Sequence, residues 1–117
     1  MRPQFKFQLN HDGGFAGIRK SFPVFHSNNL TEDEFTRLNQ LISYSDFYNL
    51  PYEILTGGYD FIYYTLVIDD GITSHSVTAD FMMMTPQLEK LKYLMDYVDE
   101  LYSKRHIKIV DLKKSRR

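Results

Sequence analysis

Four histidines, His11, His26, His75 and His106, are the side chains whose chemistry near neutral pH would suit proton transfer or metal ligation. They fall in separate parts of the chain, and no two have the i, i+4 spacing that sets a pair of ligands on one helix face. They therefore read as surface or hydrogen-bonded structural residues. The acidic groups Asp69-Asp70 and Glu32-Asp33-Glu34 lie where acids are expected for local reasons, in a turn and in a first helical turn. Ser21, Ser43, Ser45 and Ser76 lack the strand-to-helix elbow of a nucleophilic serine, and there is no cysteine. Gly13-Gly14 has neither the spacing nor the following helix of a phosphate loop or dinucleotide fingerprint. No catalytic residue, metal site or cofactor is expected, and the chain reads as a non-enzyme.

Recognition chemistry is the remaining class. Tyr59, Phe61, Tyr63 and Tyr64 could form a stacking platform, but aromatic residues on a central strand usually belong to the core. Met82-Met83-Met84, just before a helix start, reads as a packed loop rather than a sticky patch. Binding is then expected in the loops, which a rigid scaffold presents.

The scaffold follows from periodicity and punctuation. Phe5, Phe7 and Leu9 alternate with Lys6, Gln8 and Asn10, the pattern of a strand with one buried face. The glycine-rich stretch Gly13-Gly14-Phe15-Ala16-Gly17 cannot extend that strand, and residues 18–25 read as its hairpin partner, which Pro23 either places at an edge or ends early. Leu30-Thr31-Glu32-Asp33-Glu34-Phe35 carries a helix start: Thr31 as cap, Glu34 as its reciprocal partner and Leu30 stapling to Phe35. Phe35, Leu38, Leu41 and Ile42 continue the apolar face, which predicts a helix over 32–45.

Residues 50–60 form a connector in which Gly57-Gly58 marks a turn. Residues 61–68 read as a central strand, and Asp70-Gly71 predicts a two-residue turn into a more polar strand over 73–81. Thr85-Pro86 opens a second helix, in which Leu88, Leu91, Met95, Val98, Leu101 and Tyr102 keep helical spacing to about residue 104. The order β-β-α-β-β-α predicts an α+β fold, a four-stranded antiparallel sheet with two helices packed on one face.

With 117 residues, 43% hydrophobic and 25% charged, the chain has the size and composition of one folded domain. Residues 104–117 carry seven Lys or Arg against Asp111, a surplus of six, which leaves seven bases against fourteen acids in residues 1–103. The expected organisation is an acidic α+β domain over 1–103 followed by a basic tail over 104–117. Short basic ends are usually solvated, so nucleic-acid binding is not expected, although Ile107, Ile109, Val110 and Leu112 could dock a short strand or an extension of the preceding helix. No run approaches the ~18 apolar residues that span a membrane, and the N-terminus has no apolar signal core, so a cytoplasmic protein without a membrane partner is expected. Oligomeric state is not written in the sequence.

Five segments in order resemble the emfourin family: Gly13-Gly14-Phe15-Ala16-Gly17, Ser45-Asp46-Phe47-Tyr48-Asn49-Leu50-Pro51, Asp60-Phe61-Ile62-Tyr63-Tyr64-Thr65-Leu66 with Asp69-Asp70-Gly71, His75-Ser76-Val77, and Pro86-Gln87-Leu88. The resemblance covers roughly residues 4–100. It implies a small bacterial protein inhibitor of protealysin-like, that is thermolysin-like, zinc metalloproteases, with such a protease as partner. The tail lies beyond the family pattern. A general protein-interaction or regulatory module is the alternative from another class.

The resemblance carries no set of inhibitory residues onto this chain, and the candidate protease-binding loop, Gly13, Gly14, Phe15, Ala16 and Gly17, is read from its likeness to a protease substrate. Thermolysin-like enzymes prefer a large apolar residue just after the scissile bond, and Phe15 between small neighbours is similar to such a substrate. The competing reading is that the glycines permit a hairpin tip and Phe15 packs back on the core.

Overall fold

A computed structural model describes residues 4–13, 18–56, 62–107 and 110–111. Strand β1 (Lys6–Gly13) is followed by β2 (Ile18–Ser21) and β3 (Phe25–His26), then helix α1 (Glu32–Ser45). After α1 come β4 (Glu53–Ile54), β5 (Ile62–Asp69), β6 (Ser74–Ala79), helix α2 (Pro86–Ser103) and β7 (Val110–Asp111). The order across the sheet is β4-β6-β5-β1-β2-β7, with β3 also paired to β1.

The α+β class and both helices are as the sequence predicts. Thr31 caps α1 by accepting the backbone N–H of Glu34, and the Glu34 carboxylate accepts the N–H of Thr31 at 2.9 Å, the reciprocal arrangement that satisfies two orphan donors. Thr85 caps α2 by accepting from the Leu88 N–H, with Pro86 in the first turn. Asp46 ends α1 in the left-handed conformation at φ 54°.

The sheet departs from the expected four antiparallel strands. Its antiparallel centre, β6-β5-β1-β2, is extended by β4, which runs parallel to β6, and by β7, which runs antiparallel to β2. The expected second strand over 18–25 is two strands: between Asn10↔Ser21 and Phe7↔Phe25, residues 22–24 oppose residues 8–9, so one residue is extra. Pro23 has no N–H to give this bulge, and the Gln8 side chain fills in by donating to Ser21 Oγ at 3.0 Å and to the Phe22 carbonyl at 2.9 Å.

The turn between β5 and β6 is also longer than predicted. Asp70, Gly71, Ile72 and Thr73 lie between the strands; the Asp70 N–H donates to the Thr73 carbonyl, and its carboxylate accepts the N–H groups of Ile72 and Thr73. Gly71 has φ 90°, as a positive-φ turn position requires.

Register decides which residues are buried. Pairing Phe7 with Ile68, Leu9 with Leu66 and Leu66 with Val77 gathers the large apolar residues on one face of the sheet. They join Leu38 and Leu41 of α1 and Leu88, Leu91, Leu94, Val98, Leu101 and Tyr102 of α2 in one core. The opposite face is polar: Thr65 and Thr78 share a hydrogen bond across β5 and β6 at 2.8 Å. Tyr102 closes the core against β2 and β3, stacking on Phe22 with ring centroids 4.2 Å apart and donating its phenol proton to the Pro23 carbonyl at 2.6 Å.

The chain beyond α2 makes contacts of its own. Glu34, buried at the start of α1, accepts from Arg105 at 2.5 Å and from Lys104 at 3.0 Å. The two cations and the capping bond hold its carboxyl down at a pKa of about 2, Arg105 contributing most and burial opposing. Val110 and Asp111 pair with Ser21 and Lys20. Among the described residues no helix is long and apolar enough to cross a membrane.

Candidate functional site

Antiparallel pairing brings distant segments to one end of the sheet. Gly13, the last residue of β1, pairs with Ile18 on one side and with Ile62 on the other. The β1 arm of the hairpin stem is thus paired on both sides up to its final residue, while β2 has an outer neighbour only at Lys20 and Ser21. Gly13 has φ 93°, a region that disfavours a Cβ, so glycine is required where the strand turns out of the sheet. Gly14, Phe15, Ala16 and Gly17 lie outside the described residues, as do Gly57, Gly58, Tyr59, Asp60 and Phe61 of the segment leading into Ile62.

Two more loops reach this end. Tyr64 pairs with Ala79, so β6 finishes beside the start of β5, and residues 80–85 leave from there toward α2. Parallel pairing of Ile54 with Ala79 brings residues 55 and 56 to the same place. Asp80 joins these two loops. Fully buried, it accepts the Thr56 backbone N–H at 2.7 Å and the Thr56 hydroxyl with one carboxylate, and the Met82 N–H at 3.2 Å. The Thr56 hydroxyl oxygen in turn accepts the Met83 N–H at 3.2 Å. A buried carboxylate is tolerated because donors surround it.

The three methionines do not form the packed loop that the sequence suggests. Met82, Met83 and Met84 are 54%, 66% and 47% exposed, and Leu55 on the adjoining loop is 48% exposed. The hydrogen bonds around Asp80 fix the backbone in a short turn whose side chains leave the core behind. Core burial passes instead to Phe81, half-buried with its ring 5.8 Å from Tyr64. Of the aromatic residues assigned to the core, Tyr64 packs against it and Tyr63 is half-buried on the polar-face register, while Tyr59 and Phe61 lie outside the described residues.

The polar side chains considered for chemistry stay apart. His11 is edge-on to Tyr64 at 4.7 Å, and His75 lies within 2.8 Å of the Leu50 carbonyl among Phe47, Tyr48 and Tyr52. Among the described residues no three His, Asp or Glu side chains gather as a metal site would require. What the geometry assembles at one sheet end is the end of the β1–β2 stem and the two loops that Asp80 joins.

The emfourin family model matches residues 9–95, about three quarters of the chain, from β1 through most of α2. The chain belongs to the emfourin family. Membership carries a protease-inhibitor-like, non-enzymatic function and a protease as partner. The match includes residues 13–17, 55–61 and 80–85 and stops before the basic tail. A comparison with curated proteins finds no match.

Proposed function

We propose that this emfourin-family protein inhibits thermolysin-like zinc metalloproteases of the protealysin type by placing the loop Gly13, Gly14, Phe15, Ala16 and Gly17 in the active-site cleft. The observation that carries the reading is the stem. Because Gly13 is paired on both sides, to Ile18 and to Ile62, the loop leaves from a backbone already fixed in a sheet. An inhibitor that resembles a substrate gains wherever its backbone is fixed before binding, since that part has less conformational entropy to lose.

In this reading Phe15 fills the pocket that receives the residue after the scissile bond, and the flanking glycines let the two backbones approach closely. The inhibitor's own residues supply shape and apolar contact, and the zinc chemistry belongs to the protease. Titrating a thermolysin-like protease with the purified protein tests the reading: stoichiometric loss of peptidase activity supports it. Full activity in the presence of excess protein would leave the general interaction module as the better account.

A further inference from the structure

The exposed methionines have no role in the loop mechanism, yet the fold commits a buried carboxylate to holding them in place. Leu55 and Met82, Met83 and Met84 are each about half exposed or more, and they sit on two loops joined through Asp80 and Thr56. Four such side chains present an apolar patch on the order of a few hundred Å², the size at which a patch on a monomer often marks a contact surface. Methionine suits that use, because an unbranched, polarisable side chain adapts to a partner's contour.

The position of the patch selects its occupant. β1 and β4 are separated in the sheet only by β5 and β6, so with strands ~4.8 Å apart the patch lies ~15–20 Å from the end of the β1 hairpin stem. A standard interface of ~800 Å² per partner is ~30 Å across and would cover both. Residues 54–56 and 81–85 include no Lys or Arg, which argues against an anionic membrane surface as the partner.

We propose that Leu55, Met82, Met83 and Met84 form a second contact that docks on an apolar rim of the same protease's substrate cleft while the β1–β2 loop occupies the cleft. This rests on the inhibitor reading above. The loop supplies likeness to substrate, and the methionine patch adds area outside the cleft that a peptide substrate does not reach.

The test uses the full chain with Met82→Gln and Met83→Gln together, assayed against a thermolysin-like protease beside wild type and Phe15→Ala. The expected result is an inhibition constant raised roughly 10- to 100-fold, mainly through faster dissociation, with an unchanged melting temperature. Combined with Phe15→Ala, the effects should multiply, because contacts more than ~10 Å apart act independently. An unchanged inhibition constant in the folded double variant would overturn this inference and leave the loop mechanism standing. A wild-type dimer in sedimentation that the double variant dissolves would also overturn it, by giving the patch to a second copy of the chain. Failure of wild type to inhibit would remove the inhibitor reading itself, and this inference with it.

Discussion

The buried carboxylate of Asp80 accepts the backbone N–H of Thr56 at 2.7 Å, and together with the bonds made by the Thr56 hydroxyl it joins two loops that are 24 residues apart in the chain. The same side chain accepts from Met82, so the positions of the connector after β4 and of the methionine turn depend on one residue.

Asp80→Ala is therefore expected to leave the Thr56 and Met82 donors without their acceptor, at about 1–3 kcal/mol for each donor that water cannot reach. The melting temperature should fall, and amide exchange at Thr56 and Met82 should speed up more than exchange in β1 or β5.

Glu34 gives a pH-dependent prediction. Its carboxyl is held at about 2 against an ordinary 4.5, so the stabilisation is fully present above pH 4.5 and is lost as pH falls toward 2. Glu34→Gln removes the titration and weakens the bonds to Arg105 and Lys104. Wild type should be more stable than Glu34→Gln at pH 7, by about 1–3 kcal/mol, and the gap should close between pH 4.5 and 2 in parallel thermal melts. A gap that stays constant across that range would show that Glu34 acts by packing alone.

Much of this architecture is legible in the sequence where the signal is local. The Thr31/Glu34 box and the Thr85-Pro86 start satisfy donors within a few residues, so helix positions can be read without knowing the fold. β4 is different. It is two residues long, it follows Pro51, and its pairing with β6 is parallel and distant in sequence, so no alternation announces it. The bulge at residues 22–24 is signalled only by Pro23, which says that the ladder breaks but not that it resumes at Phe25. Three consecutive methionines have no period, and their exposure follows from hydrogen bonds to Asp80 and Thr56 that composition does not reveal. That β1 ends at Gly13 is legible from the glycines that follow it, whereas the register that pairs Gly13 with Ile62 is not.

Tyr102→Phe keeps the ring stacked on Phe22 and removes the hydroxyl's hydrogen bond to the Pro23 carbonyl at 2.6 Å and its longer one to the Phe7 carbonyl at 3.5 Å. The expected cost is about 0.5–1.5 kcal/mol in denaturant unfolding, whereas Tyr102→Ala should cost about 3–5 kcal/mol by opening a cavity in the core.

Gly71 has open space where a Cβ would sit, so any penalty there comes from its φ of 90° alone. Gly71→Val is expected to destabilise by about 1–2 kcal/mol without changing protease inhibition, because the β5–β6 turn is at the opposite end of the sheet from Gly13. An unchanged melting temperature would contradict the positive-φ requirement.

The central claim is that the β1–β2 loop enters the protease cleft with Phe15 as its anchor. The most direct measurement is the inhibition constant of Phe15→Ala against a thermolysin-like protease that wild type inhibits, with circular dichroism and melting recorded on the same preparation. A buried apolar anchor is worth about 2–4 kcal/mol, so the constant should rise roughly 30- to 1000-fold while the fold and melting temperature hold. An unchanged constant in a folded Phe15→Ala protein would contradict the claim, and loss of inhibition together with loss of folding would place Phe15 in the core instead.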